Sequence, residues 1–548
     1  MKNESYKWFV NLLNMRIKIN KYILLAAAAV LLSACGKPVS QVPAQYSSLD
    51  EKANIYPDYT DIVVPPNIAP LNFIVRDSLA DAFVAHLRGK DSELLTSASE
   101  DGVIQMNMDE WRNLLTTCKG TDITVTVYAR RGEKWFAYKP YTLTVAEESV
   151  DAFLSYRLIQ PSYELYRQLG IYQRNLTNWD VYTIYENNRE YDNSNNHCIN
   201  CHNYRCNSSA DMMFHVRANH GGTIIVQNGK AHKVQMKDST IITAGVYPSW
   251  HPTENLIAFS TNKTGQAFHV YHDEKIEVMD ESSDLLLYDV TKNEVQHILR
   301  TPNDLETFPC WTPDGKKLYF CNADISPLLN PELPDSTRTH QLMLRYDSIY
   351  YNLMSVSFDP KTRQFGEPKM EIEVASKHKS ISVPRVSPDG RYVLYTQGDY
   401  GQFHIWHKSA DLWVKDLKKD SCYVLQETNS PDAESFHSWS SNGRWMVFAS
   451  RRMDGNYSRA FLAYFDKNGR GHKAFVIPQE DPEWNILLLK SFNVPELTKD
   501  SVTIPMADIS KCVIGTEAEN AKYIPSAATF RHQKPKADGV TGASPQKK

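Results

Sequence analysis

The feature that most limits this chain is a signature that returns through its second half. Four segments carry it: YPSWHPTENLIAFSTN from Tyr247, FPCWTPDGKKLYFCNAD from Phe308, VPRVSPDGRYVLYTQGD from Val383 and FHSWSSNGRWMVFASRR from Phe436. Each reads as an aromatic residue or valine, a polar turn containing Gly or Asn, and an alternating apolar run, which is strand, tight turn, strand. A second hairpin follows each one: DLLLYDVTKNEVQHIL from Asp284, YNLMSVSFDPKTRQF from Tyr351, ADLWVKDLKKDSCYVL from Ala410 and AFLAYFDKNGRGHKAFVI from Ala460. Two hairpins make a four-stranded antiparallel sheet that cannot bury both faces alone. Such units stack radially, so the expected fold is mainly β, a β-propeller.

The pattern W-x-P-D-G-x-x-[LIV]-x-[FY], best matched at Trp311-Thr312-Pro313-Asp314-Gly315, resembles the TolB-like propeller family. That resemblance implies about six blades and a binding platform more than an activity. The segment NCHNYRCNSSADMMFHVRANHGGTIIVQNGKAHKV fits the same template as a further blade, with Asn207–Asp211 as its turn and Cys201-His202 near the position of Ser249-Trp250-His251-Pro252. The sixth blade is expected from NILLLKSFNVPEL and the residues after it, closed by an N-terminal strand. The propeller is placed at 191–530, after a small β-rich or α+β domain and tyrosine-rich connector at 35–190. In that domain DITVTVYARRGEKWFAYKPYTLTV alternates like two or three strands, and PSYELYRQLGIYQRNLTNW suits a helix. The tail 531–548 is Lys/Pro/Gly/Ser-rich and expected to be disordered.

The N-terminus sets the compartment. Arg16, Lys18 and Lys21 precede a short apolar core, Tyr22 to Leu32, too short to span a bilayer. Leu32-Ser33-Ala34-Cys35 then resembles the lipobox of bacterial lipoproteins, so residues 1–34 read as a signal peptide and Cys35 as the lipidated residue. Gly36-Lys37-Pro38 has no acidic cluster, which favours a tether on the outer membrane facing the periplasm. The expected partners are the membrane, through that anchor, and an envelope protein or glycan. Formal net charge is −4, with no basic field for nucleic acid.

Cys198-Ile199-Asn200-Cys201-His202 matches C-x-x-C-H, the pattern of c-type haem attachment. Two thiols at that spacing reach two vinyl groups, and the adjacent imidazole reaches the iron. With 9 Cys and 17 His in 548 residues, chance matches number roughly 0.005. One covalent haem c is therefore the leading expectation, with His202 as proximal ligand. Alternation along Met212–Arg217 puts Met213, His215 and Arg217 on one face, so Met213 or His215 is the expected distal ligand and Arg217 a propionate partner. Tyr204, Trp179 and Tyr182 are candidate walls. The alternatives are a Cys₃His zinc site, with Cys206 as third thiol beside Cys198 and Cys201 and one of His197, His202, His215 or His220 completing it, and a disulfide or a purely structural loop.

A C-x-x-C-H before MMFHVR and GGT resembles a group of TolB-like lipoproteins of Bacteroides-type bacteria related to cytochromes c, which implies a monohaem centre for electron transfer or redox sensing. The other reading is a non-catalytic scaffold for protein or glycan. No G-x-S-x-G elbow, P-loop, Rossmann fingerprint or H-E-x-x-H occurs, so a hydrolase has little support. In blade three, a turn at Pro313–Lys316 pairs residues whose numbers sum to about 629, so Cys310 and Cys321 should lie within a register step. A cross-strand disulfide is feasible there, with two buried free thiols the favoured outcome. The anchor has a direct check: Cys35→Ala should release the protein from the membrane fraction, and unchanged partition would refute the lipobox.

Overall fold

The computed structural model describes residues 41–160, 168–188, 197–269 and 274–526. The lipobox with Cys35 and the tail lie outside the described residues. The described chain is mainly β. We label six strands that each begin or close a sheet: β1 (His197–Arg205), β2 (Val246–Trp250), β3 (Asp304–Trp311), β4 (Ser380–Val386), β5 (Glu434–Trp439) and β6 (Ser491–Thr498).

Strands β1 to β5 are each followed by partners in meander order, as the paired hairpins require. The sheets of β2 and β3 are joined by a single parallel bridge, Ser283 to Leu305, into one ten-stranded sheet. Strand β6 differs. Its hydrogen-bonded neighbour is Phe153–Ile159, which pairs in turn with Gly170–Asn175 and then Val181–Glu186. The strands between residues 153 and 186 therefore share a sheet with β6, and Gly170–Asn175 is strand where a helix was expected. The first strands touch in order: β1 packs on β2, β2 on β3, β3 on β4, β4 on β5, β5 on β6, and β6 on β1.

Every first strand carries one bulge at the same place. Cys201, Tyr247, Phe308, Val383, Phe436 and Val494 all have φ between 47° and 52°, and the ladder slips across each of them. A bulge adds twist and bends the strand. Left-handed backbone at β-branched Val383 and Val494 is held only where surrounding structure demands it. The next residue is Pro248, Pro309, Pro384 or Pro495 in four strands, and His202 or His437 in the other two.

Residues before 150 form a seven-stranded mixed sheet, a three-stranded sheet and a helix, Met108–Thr117, capped by the Asn107 side chain. Trp111 anchors that helix, fully buried, with Nε1 donating to the Ile68 carbonyl at 2.9 Å. The core is continuous with the sheets of β5 and β6 through Trp439, Trp445, Phe461 and Phe492. Asp151 accepts from Ser441 N and Oγ at 2.7 and 2.6 Å, and Trp445 Nε1 donates to the Glu148 carbonyl at 2.8 Å.

In the β3 hairpin Cys310 pairs with Tyr319 and Trp311 with Leu318, the register the turn implies. The bulge at Phe308 then shifts the ladder, so Cys321 faces Thr307. Both cysteines are buried free thiols. Alkylation of denatured, unreduced protein should label Cys310 and Cys321 completely; protection of the pair would reveal a disulfide.

Candidate functional site

Strand β1 holds the cysteine-histidine segment in extended backbone, not in a helical turn. Cys198 pairs with Arg217, Ile199 with Val216 and Asn200 with His215; after the bulge Asn203 pairs with Met213 and Tyr204 with Met212. The turn is tighter than expected. Arg205 pairs with Ser208, and Cys206 and Asn207 both have positive φ, the pattern of a two-residue hairpin turn. The Asn207 amide donates to the Trp439 and Leu497 carbonyls, both at 2.9 Å, tying this turn to β5 and β6. Cys201-His202 is thus equivalent to Tyr247-Pro248, and Tyr204 to Trp250, which corrects the alignment expected from sequence.

The expected haem ligands are spent on packing. Cys198 is 8 % exposed and belongs to a core cluster with Ile171, Tyr185 and Phe214. Burial pushes its thiol up, against the pull of the Arg157 and Arg217 charges. His202 is 2 % exposed. Its ring lies edge-on to Tyr204, with centroids 6.0 Å apart, and neither ring nitrogen has a hydrogen bond of ordinary geometry. Burial, with Arg157 nearby, pushes its pKa down to about 3 against a weaker opposing pull from the Val494 main chain, so the imidazole is neutral. His215 is likewise buried and pushed down to about 3 by burial and Arg217. Its Nδ1 lies 3.4 Å from Thr223 Oγ1.

Met213 does fall on the opposite face from Met212, Phe214 and Val216, as alternation requires. Its side chain is fully buried among Ile225, Trp250 and Phe259. Of the candidate walls Tyr204 stands beside His202, whereas Tyr182 is 48 % exposed on an outer strand. A covalent haem needs both thiols and the imidazole to open onto one broad slot. Here Cys198 and His202 are shut into packing against neighbouring strands, so the described residues do not fit that group. Cys206 sits at the exposed hairpin turn, about 25 Å of extended strand from Cys198. Among the described residues no three His, Cys, Asp or Glu side chains are placed to share a metal. Cys198, Cys201 and Cys206 are all free thiols.

Sequence reasoning missed two residues that organise this region. Arg157 donates through Nη1 to the Ile199 carbonyl at 2.8 Å. Glu496 on β6 accepts from Asn203 Nδ2 at 3.0 Å and from Tyr204 N at 3.1 Å. Neither lies in a motif, and both reach β1 only because β6 joins residues 153–159.

No family model matches the sequence, and no curated protein matches it. Among solved structures, one similar chain is a prolyl endopeptidase, at 10 % identity and TM-score 0.30, covering 60 % of this chain and 42 % of the other. Another belongs to a mitotic checkpoint complex, at 9 % identity and TM-score 0.29, covering 81 % and 87 %. Prolyl oligopeptidase B from Galerina marginata is similar at 9 % identity and TM-score 0.29, covering 66 % and 50 %. The chain spans less than half of the first of these. At such similarity nothing about activity passes to it.

Burial lifts the Glu496 carboxyl to about 7. Between its ordinary value near 4.5 and 7 the folded state holds a proton that the unfolded state has lost. Stability therefore falls as pH rises through this window. Glu496→Gln keeps an acceptor for Tyr204 N and removes the charge. It should flatten the pH dependence between about pH 5 and 8 and stabilise the protein at pH 8 by on the order of 1–3 kcal/mol, the partial solvent contact of Glu496 lowering the full value. Urea denaturation at the two pH values measures this; an unchanged pH slope would refute it.

Proposed function

We propose that the mature chain is a periplasm-facing, lipid-anchored envelope protein. In this reading its six sheets close into a six-bladed TolB-like propeller carrying an N-terminal β-rich domain. It serves as a binding platform for an envelope protein or glycan, with the Cys198–His202 segment as structure. Cyclic packing of the six first strands and closure by β6 support the ring. The observation that carries the structural reading of the motif is its equivalence to five other bulges. Cys201 takes the left-handed position and His202 the slot that proline fills in four strands.

The alternative of one covalent haem c draws support from the ring nitrogens of His202, which have no hydrogen bond of ordinary geometry, and a single pair of measurements separates the two. Protein from membranes should show no Soret band that survives acid-acetone extraction. His202→Pro should keep the thermal midpoint within about 3 °C, because it installs the residue common to this slot. A covalent Soret band in the wild type that His202→Pro abolishes would overturn the platform reading in favour of electron transfer. Cross-linking in intact cells should give a discrete complex with an envelope component; monomer alone would remove the binding role.

A further inference from the structure

Neighbouring sheets bring two arginines to one place. Arg157 lies on Phe153–Ile159, opposite Asn493 of β6, and its Nη1 reaches across to the Ile199 carbonyl of β1 at 2.8 Å. Arg217 lies on Ser208–Ala218 and pairs with Cys198, the residue before Ile199. Directly paired residues share a face of the sheet, with their Cα atoms about 4.5–5.5 Å apart. Burial pushes the Arg157 pKa down, Cys198 and Cys201 oppose it, and the Arg217 charge adds to the depression. Tyr247 of β2 stands beside the same pair. Burial pushes its hydroxyl up, with Asp280 and Cys201 adding to the effect and Arg217 and Arg157 pulling against it.

Among the described residues neither arginine has a carboxylate partner. Arg157 has the Ile199 carbonyl, and Arg217 has no side-chain hydrogen bond or ion pair. Asp280, which faces Tyr247, is engaged by Asn262 Nδ2 at 2.8 Å and Tyr351 Oη at 3.4 Å. Arginines elsewhere are compensated. Arg131, Arg391 and Arg452 meet Asp77, Asp416 and Glu434 at 2.9, 3.1 and 2.8 Å. Arg459 spends its donors on the Asn485, Leu488 and Lys490 carbonyls. The bulge residues also leave room at this point. Phe308, Val383 and Phe436 are buried in one apolar cluster, with Tyr247 and Val494 packed against it. The sixth bulge residue is Cys201, a smaller side chain that is free and partly exposed. Arg157 and Arg217 beside it both keep contact with solvent.

We propose that Arg157 and Arg217 form a recognition site for a phosphate group. Two like charges set together without a counter-charge disfavour each other, and an arriving dianion removes that cost. A phosphate monoester brings about 1.5 to 2 negative charges at pH 7, where a carboxylate brings one. The guanidinium fork matches phosphate oxygens with paired, charge-assisted hydrogen bonds. Tyr247 supplies a hydroxyl donor at the same place. Free phosphate and a phosphate ester share this chemistry. The inference goes beyond the platform reading by naming the chemical group that is read. It is tested on isolated protein, apart from the cross-linking in cells, so either reading can fail alone.

Isothermal titration of the mature protein, in phosphate-free buffer, with inorganic phosphate, glycerol 3-phosphate, acetate and glycerol tests it. At least one of the two phosphates should bind about tenfold or more tightly than acetate, and glycerol should give no binding heat. Tighter binding of the ester would point to an organic carrier, and equal or tighter binding of inorganic phosphate to the free anion; either supports the class. Arg217→Met should weaken phosphate binding by at least about tenfold while leaving the melting temperature of the free protein unchanged or higher, because it removes one of two adjacent like charges. A residue with only a structural role would lower the melting temperature and leave the affinity of the folded protein as it was. Arg217→Lys keeps the charge without the fork and should retain part of the affinity. Absence of heat from both phosphates, acetate binding as tightly as they do, or unaltered phosphate affinity in Arg217→Met would overturn the proposal.

Discussion

The pairing of β6 with Phe153–Ile159 is the constraint on which everything after residue 150 depends. It joins the two ends of a long run of sheets: Gln173 Nε2 reaches Thr498 Oγ1 at 2.9 Å across 325 residues of sequence. The entropic cost of closing so long a loop grows only logarithmically with length. In return Phe153–Ile159 does not stand as a bare edge, which would be a template for aggregation. The seam is also tied by side chains. Glu496 holds β1, the Asn207 amide holds the carbonyls of Trp439 and Leu497, and Asp151 holds Ser441. Pairing of this kind is non-local and forms late, so folding is expected to be slow.

The recurring bulge gives the C-x-x-C-H segment a place in the architecture that depends on no cofactor. A residue forced to positive φ costs about 1–3 kcal/mol, and such strain persists only where surrounding structure over-determines it. Six occurrences at one structural position, none of them glycine, mean that the bend is a requirement of the architecture. Proline suits the following position because no ladder hydrogen bond is asked of its nitrogen. Histidine takes that slot twice, with different outcomes. His437 sets Nε2 3.1 Å from the Leu394 carbonyl and Nδ1 3.4 Å from Thr396 Oγ1. His202 has only the Val494 main chain beside its ring nitrogens, without ordinary hydrogen-bond geometry, and rests against Tyr204.

The parts of the fold built from contiguous hairpins were legible in the sequence. Turns such as Thr312–Lys317 follow local rules: Asp314 Oδ1 accepts from Thr312 Oγ1 at 2.6 Å and Lys316 N at 3.1 Å, and Gly315 takes positive φ. That local chemistry sets the register as far as Cys310, and the bulge at Phe308 ends its reach. The sheet of β6 was only half legible, since its strands come from both ends of the chain and share no signature with the others. The hairpin after β1 was misplaced because Cys206-Asn207 makes a two-residue turn without glycine. As for the candidate site, spacing alone does not distinguish a bulged strand from a helical turn. It therefore did not reveal that Cys198 and His202 would be packed away, nor that Arg157 and Glu496 would meet them.

After β6 the chain turns outward and brackets the seam from the rim. The helix Met506–Ile514 buries Ile509 and Val513 in the same core cluster as Cys198 and Phe214. Lys233 Nζ donates to the Val513 carbonyl at 2.9 Å and the Gly515 carbonyl at 3.0 Å, satisfying carbonyls the helix end leaves open. Short strands then add in parallel to the outer edges of two sheets, Val234 pairing with Glu519 and Val295 with Tyr523. The outer strands of the β3, β4 and β5 sheets are themselves short: Lys369–Ile372, Ser421–Val424 and Phe475–Val476. Short or covered edges resist addition of a foreign strand. Recognition by strand addition at these short or covered edges is thereby disfavoured, and the late strands at 519–523 act as covers for the sheets they join.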